Sequence, residues 1–476
     1  MKLKDFELTV GIEFHVELAT LSKMFCSCSS EIWNEPPNSH VCPVCLGLPG
    51  AMPVANREAV KKAILLGMAF NCKPQASSKF DRKNYFYPDL PKGFQISQYE
   101  LPFSKDGFAK VDGLKIGITR VHLEEDTGKL IHVKGATLID FNRSGMPLVE
   151  IVSEADITTA RVAHDFAQKV QQIVRYTGVS EADMEKGSMR VEVNISVRKL
   201  GDKKFGTKVE VKNLNSFRSV ERAIEYEFTR QVELIKRGGK VIQETRGWNE
   251  IENKTYSQRT KEFAHDYRYF PEPDLLPFHF EENFFQKLRG EIGELPDLKK
   301  ERFIKEYGLS NYDADLLTST SQLSNWYEEA LLVYSKKPTV GKAKIVANWV
   351  IGELLRRLKQ TEKSLDEISM TPAYLSEILY LLDEGKVTQV QAKDIFWQVF
   401  QTGERPQPIA NKLSQVLSES DLLDVVDEII AKNEEVVKEL KSGKTQVINF
   451  LVGQVMKKTS GGADPKFVER LLKKKI

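Results

Sequence analysis

The stretch "GIEFHVEL" (Gly11–Leu18) places Glu13, His15 and Glu17 at alternate positions among Ile12, Phe14, Val16 and Leu18. On a β-strand this alternation sends the carboxylates and the imidazole to one face and the apolar side chains to the other. The pattern returns in "RVEVNISV", where Arg190, Glu192 and Asn194 share a face, and in "KVEVKN", where Glu210 lies between Lys208 and Lys212. "ITRVHLEED" puts Arg120, His122, Glu124 and Asp126 together, and "PLVEIVSE" sets Glu150 between apolar neighbours. One strand with a polar side is an ordinary wet strand. Several carrying the same oxygen and imidazole ligands are not, because clustered like charges repel unless something compensates them. A divalent cation with a phosphate does so: Mg²⁺ takes one or two carboxylates, waters and phosphate oxygens. The chemistry indicated is phosphoryl transfer on a sheet face. "SGKTQ" (Ser442–Gln446) ends like a P-loop, but Lys438 stands where its first glycine belongs, and no G-x-G-x-x-G follows a strand.

A second ligand set is formed by "CSC" and "CPVC": Cys26, Cys28, Cys42 and Cys45. Cys-x₂-Cys is a common half of a structural zinc site, and Cys-x-Cys can serve as the other half. Four thiolates leave no open position, so this zinc would staple the fold; His40 is a possible substitute ligand. Cys72 stands alone in "AFNCKP" and reads as a core thiol.

The elements that must position these residues follow from the rest of the chain. Its 476 residues, 41% of them hydrophobic, suffice for roughly two to four domains. A net charge of +2 attracts no polyanion by itself, so any basic surface is local. No apolar run approaches the ~18 residues of a membrane span, and Asp5 and Glu7 interrupt any signal-peptide core. The chain reads as cytoplasmic, with no membrane partner.

Residues 1 to about 290 read as strands and loops. "KFDRKNYFYPDLPKGFQISQY" (Lys79–Tyr99) fits no regular element, yet interleaves Lys79, Arg82 and Lys83 with six aromatics, as a loop that stacks RNA ends would. From about Leu295 helical spacing takes over. "TPAYLSEILYLLDEG" has Thr371 as N-cap, Pro372 at the first position and Gly385 as the stop. "TGERPQP" (Thr402–Pro408) reads as a linker, after which comes a small helical unit with a basic end that includes Lys457 and Lys458.

"KFDRKNYFYPDLPKGFQISQY", "GITRVHLEEDTGK", "DFNRSGMPLVEIVSE", "GSMRVEVNISVR", "VEVKNLNSF" and "DYRYFPEPDL" together resemble GatB, the B subunit of the tRNA-dependent glutamyl/aspartyl amidotransferase GatCAB, over essentially the whole chain. The resemblance implies an α+β fold. A mainly antiparallel catalytic cradle similar to the glutamine synthetase fold would span 1–293, a helical domain 294–407 and a tRNA-binding tail domain 408–476. It implies a ligase that uses ATP to phosphorylate the side-chain carboxylate of Glu-tRNA(Gln) or Asp-tRNA(Asn). Ammonia from the amidase, GatA, then displaces phosphate, in a heterotrimer completed by the small GatC. Nothing in this chain looks equipped to make ammonia, which fits that division: there is no G-x-S-x-G elbow.

The resemblance also implies Mg²⁺ ligands: His15, Glu125 and Glu150. Strict alternation puts Glu124, not Glu125, on the face of His122; the family pattern makes Glu125 the expected ligand. Glu13, Glu124, Glu192 and Glu210 become candidates for a second metal or the nucleotide, and Arg190 and Lys212 for phosphate contacts. Glu17 has the right parity but no role. The implied cofactors are ATP, Mg²⁺ and a structural Zn²⁺, and Lys457 and Lys458 are candidate RNA contacts.

Overall fold

The computed structural model describes residues 3–260, 267–413, 419–441, 447–459, 463 and 465–476. The P-loop-like Ser442–Gln446 lies outside them. The chain divides into two compact units, Met1–Leu295 and Pro296–Ile476.

The first unit is built on a nine-stranded sheet. From one edge its strands are Lys254–Thr260, Glu244–Asn249, Val209–Leu214, Met189–Lys199, Phe6–Glu17, Pro147–Ser153, Leu114–Glu125, Ser104–Val111 and Lys73–Pro74. All neighbours are antiparallel except Val209–Leu214 and Glu244–Asn249, which run parallel. The helix Phe217–Lys236 makes that crossover, as a parallel pair requires.

The alternation of the opening strand behaves as its sequence dictates: Leu8, Val10, Ile12, Phe14 and Val16 are buried. What buries them is helical. Arg57–Ala69, Ala160–Tyr176 and Phe217–Lys236 contribute to the same apolar core, so the reading of this region as strands and loops alone is corrected. The missed signal is a 3.6-residue stripe: Phe166, Ala167, Val170, Ile173 and Val174 are all buried. Thr159 caps that helix by accepting from Val162 N–H, and the Phe166 ring meets Phe14 edge-on at 5.6 Å. With the helices on one face, the opposite face of the central strands is left to the Glu, His and Arg side chains.

The second unit is all-helical and has two apolar clusters. Tyr327, Leu331, Val346, Leu375, Ile378 and Phe396 anchor the first; Val426, Leu451, Val455, Val468 and Leu472 anchor the second. Thr371 caps Pro372–Asp383 by accepting from Tyr374 N–H, and Gly385 follows at φ +68°. The supposed linker Thr402–Pro408 is shorter than its composition suggested. Gly403 ends one helix at φ +71°, and Pro406 already begins the next, Pro406–Leu413, because proline suits a helix's first turn. Ile409 and Ala410 of that helix belong to the first cluster. No helix among the described residues is long and apolar enough to cross a membrane.

Candidate active site

Strand register lines up the reactive side chains. His122 pairs with Glu150, Glu150 with His15, and His15 with Arg190, so four strands place these residues in one rank on the open face. Glu13 pairs with Glu192, and Asn194 with Glu210, in neighbouring ranks. His15 Nε2 lies 3.6 Å from both Glu124 Oε1 and Glu150 Oε2, and His122 Nε2 lies 3.3 Å from Glu150 Oε2. One ligand atom from each of His15, Glu124 and Glu150 falls within 4.8 Å of the others, and Glu13, Glu192 and Glu210 form a second such group. Asn194 Nδ2 donates to Glu13 (2.8 Å), Thr245 Oγ1 donates to Glu210 (2.6 Å), and Lys212 pairs with Glu192 (2.8 Å).

The electrostatics are those of a carboxylate-rich, water-poor surface. Burial alone would lower the pKa of His15, but the bond and charge of Glu150, with Glu192 and Glu124, raise it to about 9. Burial opposes ionisation of Glu150, yet His122 and His15 hold it well below the carboxylate range. The site thus collects positive charge wherever it is offered. Buried polar atoms left without partners, His122 Nδ1 and Arg120 Nε, border the same group. Two carboxylates and an imidazole at this spacing fit a divalent cation that completes its shell with water and phosphate oxygens.

Glu125 stands apart from this cluster. Its carboxylate accepts from the Lys92 ammonium and from Ile96 N–H (2.9 Å), and it lines a cavity of about 140 Å³ with Cys45, Lys92, Arg82 and Glu272. From Arg120 to Glu125 the strand pairs with Pro147–Val152 without a register shift, so parity holds there and the His15–Glu150 pair meets Glu124. The structure therefore does not bring Glu125 to the expected ligand set. Arg190 and Lys212, expected at phosphates, are both held by carboxylates: Arg190 Nη2 donates to Asp126 Oδ2 at 2.7 Å, and Lys212 pairs with Glu192. Glu17 borders that Asp126–Arg190 pair. Burial and the Asp126 charge outweigh Arg190 and Arg143 and push its carboxyl up to about 7.

"KFDRKNYFYPDLPKGFQISQY" is more regular than its composition suggested. Asp81–Asn84 and Phe94–Ser97 form an antiparallel pair, and Phe270–Pro271 adds a third strand. Arg82 clamps Glu272 through Nε and Nη2 (2.8 and 2.9 Å) and lies 4.2 Å over the Phe94 ring. The prolines that ruled out a helix sit between the two strands, where Phe86 and Tyr87 are exposed. Ser97 Oγ donates to Glu124 Oε2 (3.3 Å), and the Lys83 ammonium lies over the Tyr267 ring at 5.2 Å. Burial opposes the charge of Lys83, but Glu124 and Glu150 hold its pKa well above normal. Of the tyrosines around it, Tyr85 is a near neighbour in the chain, while Tyr267 and Tyr269 come from a distant segment that local sequence does not reveal.

The four cysteines converge: Cys26, Cys28, Cys42 and Cys45 place their sulfurs within 4.8 Å of one another, with Cys42 and Cys45 at 3.9 Å. Tetrahedral Zn–S bonds of about 2.3 Å put sulfurs about 3.8 Å apart. The donor set fits zinc. The bond with Cys26, together with Cys42 N–H and the Lys23 charge, outweighs burial and lowers the Cys45 pKa to about 5. His40 is turned to Glu35 at 3.4 Å and is outside the group. Cys72 is buried, and burial pushes its thiol up to about 12. In the tail, Lys458 is paired with Glu428, while Lys457 belongs to the last turn of Ile448–Lys458.

A sheet face crowded with carboxylate and imidazole groups, with four convergent cysteines in the same unit, sets the chain beside a known class of proteins. Residues 8–286 match the GatB/GatE catalytic domain, and residues 332–476 match the GatB domain. The B subunit of the aspartyl/glutamyl-tRNA(Asn/Gln) amidotransferase of Carboxydothermus hydrogenoformans is 48% identical, covering 100% of this chain and 99% of the relative. That of Thermoanaerobacter pseudethanolicus is 46% identical over 99% of each chain, and that of Thermodesulfovibrio yellowstonii 47% over 98% of each. The chain belongs to the GatB family of aspartyl/glutamyl-tRNA amidotransferase B subunits.

Proposed function

We propose that this chain is the activating subunit of a tRNA-dependent amidotransferase. It joins the γ-phosphoryl group of ATP to the side-chain carboxylate of Glu on tRNA(Gln) or Asp on tRNA(Asn), then exchanges phosphate for ammonia. The observation that carries this reading is the pair of ligand groups, His15–Glu124–Glu150 and Glu13–Glu192–Glu210, side by side on one open sheet face.

A carboxylate is a poor electrophile toward ammonia, because oxide is a poor leaving group. Attack of one carboxylate oxygen on the γ-phosphorus of ATP releases ADP and leaves an acyl phosphate. Ammonia then bonds to the carbonyl carbon, the C–O bond to phosphate breaks, and a proton leaves nitrogen. His15, Glu124 and Glu150 would hold a Mg²⁺ ion, which would supply charge neutralisation at the phosphates. Glu13, Glu192 and Glu210 would hold a second cation or the nucleotide's own. Lys83, half-buried against Tyr267 and drawn toward Glu124 and Glu150, presents a fixed cation to the transferred group. Arg190 and Lys212 exchange Asp126 and Glu192 for phosphate oxygens when substrate arrives. The acyl phosphate hydrolyses readily, so the exposed Phe86 and Tyr87 close over the aminoacyl end and exclude water.

The partners are the amidase GatA, which supplies ammonia, and the small GatC. Residues 1–293 carry the chemistry on a glutamine synthetase-like cradle, 294–407 form the helical domain, and 408–476 hold the tRNA body through phosphate contacts at Lys457 and Lys458. The test is ATP hydrolysis by the chain with its amidase partner: it requires mischarged Glu-tRNA(Gln) or Asp-tRNA(Asn). Equal hydrolysis with uncharged tRNA contradicts the reading.

A further inference from the structure

Lys23 is 0% exposed, an uncommon place for an ammonium group. Its three N–H donors have three acceptors: His40 O at 2.8 Å, Phe141 O at 3.5 Å and Cys45 Sγ at 3.7 Å. Among the described residues no carboxylate forms an ion pair with it. A buried cation needs an anion, not only carbonyl dipoles, or it costs several kcal/mol. Of its three hydrogen-bond acceptors among the described residues, the Cys45 sulfur is the one able to carry negative charge. Four neutral thiols carry none; four thiolates around Zn²⁺ carry a net charge of −2.

We propose that Lys23 is the counter-cation of a zinc tetrathiolate made by Cys26, Cys28, Cys42 and Cys45. Its N–H donated to Cys45 Sγ disperses the excess charge and orients that sulfur toward the metal. On metal binding the thiol protons go to solvent. This rests on the zinc reading of the cysteines and adds a positioning residue to it.

The packing around Lys23 gives the arrangement a reach beyond the loop. Its bond to Phe141 O starts a seam that continues with Ser144 Oγ to Cys45 O (3.0 Å) and Met24 N–H to Gly145 O (2.7 Å). Gly145 has φ +83°, and a Cβ there would lie 3.3 Å from Cys45 Cβ and 3.7 Å from Lys23 Cδ. The turn Phe141–Met146 leads straight into the strand that carries Glu150. Lys23 thus ties the thiolate cluster to the segment that delivers a ligand of the sheet-face site.

The experiment uses the full chain in complex with its partners, and compares the wild type with Lys23→Gln and Lys23→Arg. Zinc affinity is measured by competition with a chromophoric chelator, and Co²⁺ replaces zinc as a spectroscopic probe. Lys23→Gln keeps polar contacts but no charge. It binds zinc about 10- to 100-fold more weakly, the usual cost of losing a group that orients a ligand. Its thiolate-to-cobalt charge-transfer band moves to lower energy, because the sulfurs become more electron-rich. Lys23→Arg keeps the charge, and it binds zinc within about threefold of wild type and keeps the band. A mere packing role would lower thermal stability without moving affinity or band. Zinc affinity of Lys23→Gln within twofold of wild type, with an unchanged band, overturns the proposal. So does an arginine variant that binds zinc about 10-fold or more weakly than wild type, a result that also serves if Lys23→Gln does not fold. A wild-type complex that takes up neither metal defeats the zinc reading itself and is distinguishable from both results.

Discussion

Glu124 and Glu125 are consecutive in the chain, yet their carboxylates serve different parts of the molecule. Glu124 Oε1 lies 3.6 Å from His15 Nε2 on the open sheet face, whereas Glu125 Oε1 accepts from Ile96 N–H at 2.9 Å and from Lys92. The two-residue period of the strand is enough to separate them. It leaves Glu124, the residue that alternation places with His122, beside His15 and Glu150.

Zinc removal gives the first prediction. Replacing both Cys42 and Cys45 by Ser leaves Cys26 and Cys28 as the only thiolates of the group. Elemental analysis should fall from about one zinc per chain to none, and thermal stability should drop, because metal binding energy is folding energy in such loops. Wild-type protein purified without chelator that contains no zinc would sink the site.

Glu17 gives a pH-dependent one. Its folded pKa, about 7, is raised above the ordinary 4.5. A raised carboxyl contributes stability that is fully present below pH 4.5 and lost as pH rises through 7. Glu17→Gln imitates the protonated form, so in chelator-treated protein it should melt like wild type near pH 4.5 and higher than wild type at pH 8. Calorimetry at the two values decides it; an equal difference at both removes the pKa argument. Glu17 is given no part in the chemistry, so activation of Glu-tRNA(Gln) should change little in this variant.

His15 couples metal binding to protons. In the metal-free protein its pKa is raised to about 9, so at pH 7 the imidazole carries a proton that a metal must displace. Divalent cation binding at this site should release close to one proton and tighten by up to about tenfold per pH unit below 9. Titration calorimetry with Mn²⁺ in buffers of different ionisation enthalpy reads that proton. No release at pH 7 would mean that His15 is not a ligand.

Much of this architecture was readable in the residues themselves. The alternation around His15 gave the sheet face, and the spacing of Cys26, Cys28, Cys42 and Cys45 gave the thiolate group, because both are local patterns. Register was not readable. The rank His122–Glu150–His15–Arg190 depends on which strands pair and in what phase, which long-range packing decides. The surroundings of Lys83 and Lys23 were hidden for the same reason: each is enclosed partly by residues far away in sequence. The helix Ala160–Tyr176 was missed although its stripe is periodic, because the neighbouring strand signals dominated that region.

The most direct test of the sheet-face metal site is single-turnover ATP hydrolysis with mischarged Glu-tRNA(Gln) across a Mg²⁺ titration, comparing Glu124→Gln, Glu150→Gln and Glu125→Gln. Losing a ligand leaves charge on the transferred phosphoryl group poorly neutralised, at a cost of a few kcal/mol. Glu124→Gln and Glu150→Gln should therefore fall by about 10²-fold or more at low Mg²⁺ and recover in part as Mg²⁺ rises. Glu125→Gln should keep the wild-type Mg²⁺ dependence, whatever it does to amide formation. Near-normal rates for Glu124→Gln and Glu150→Gln at low Mg²⁺, or a shifted Mg²⁺ requirement in Glu125→Gln alone, would contradict it.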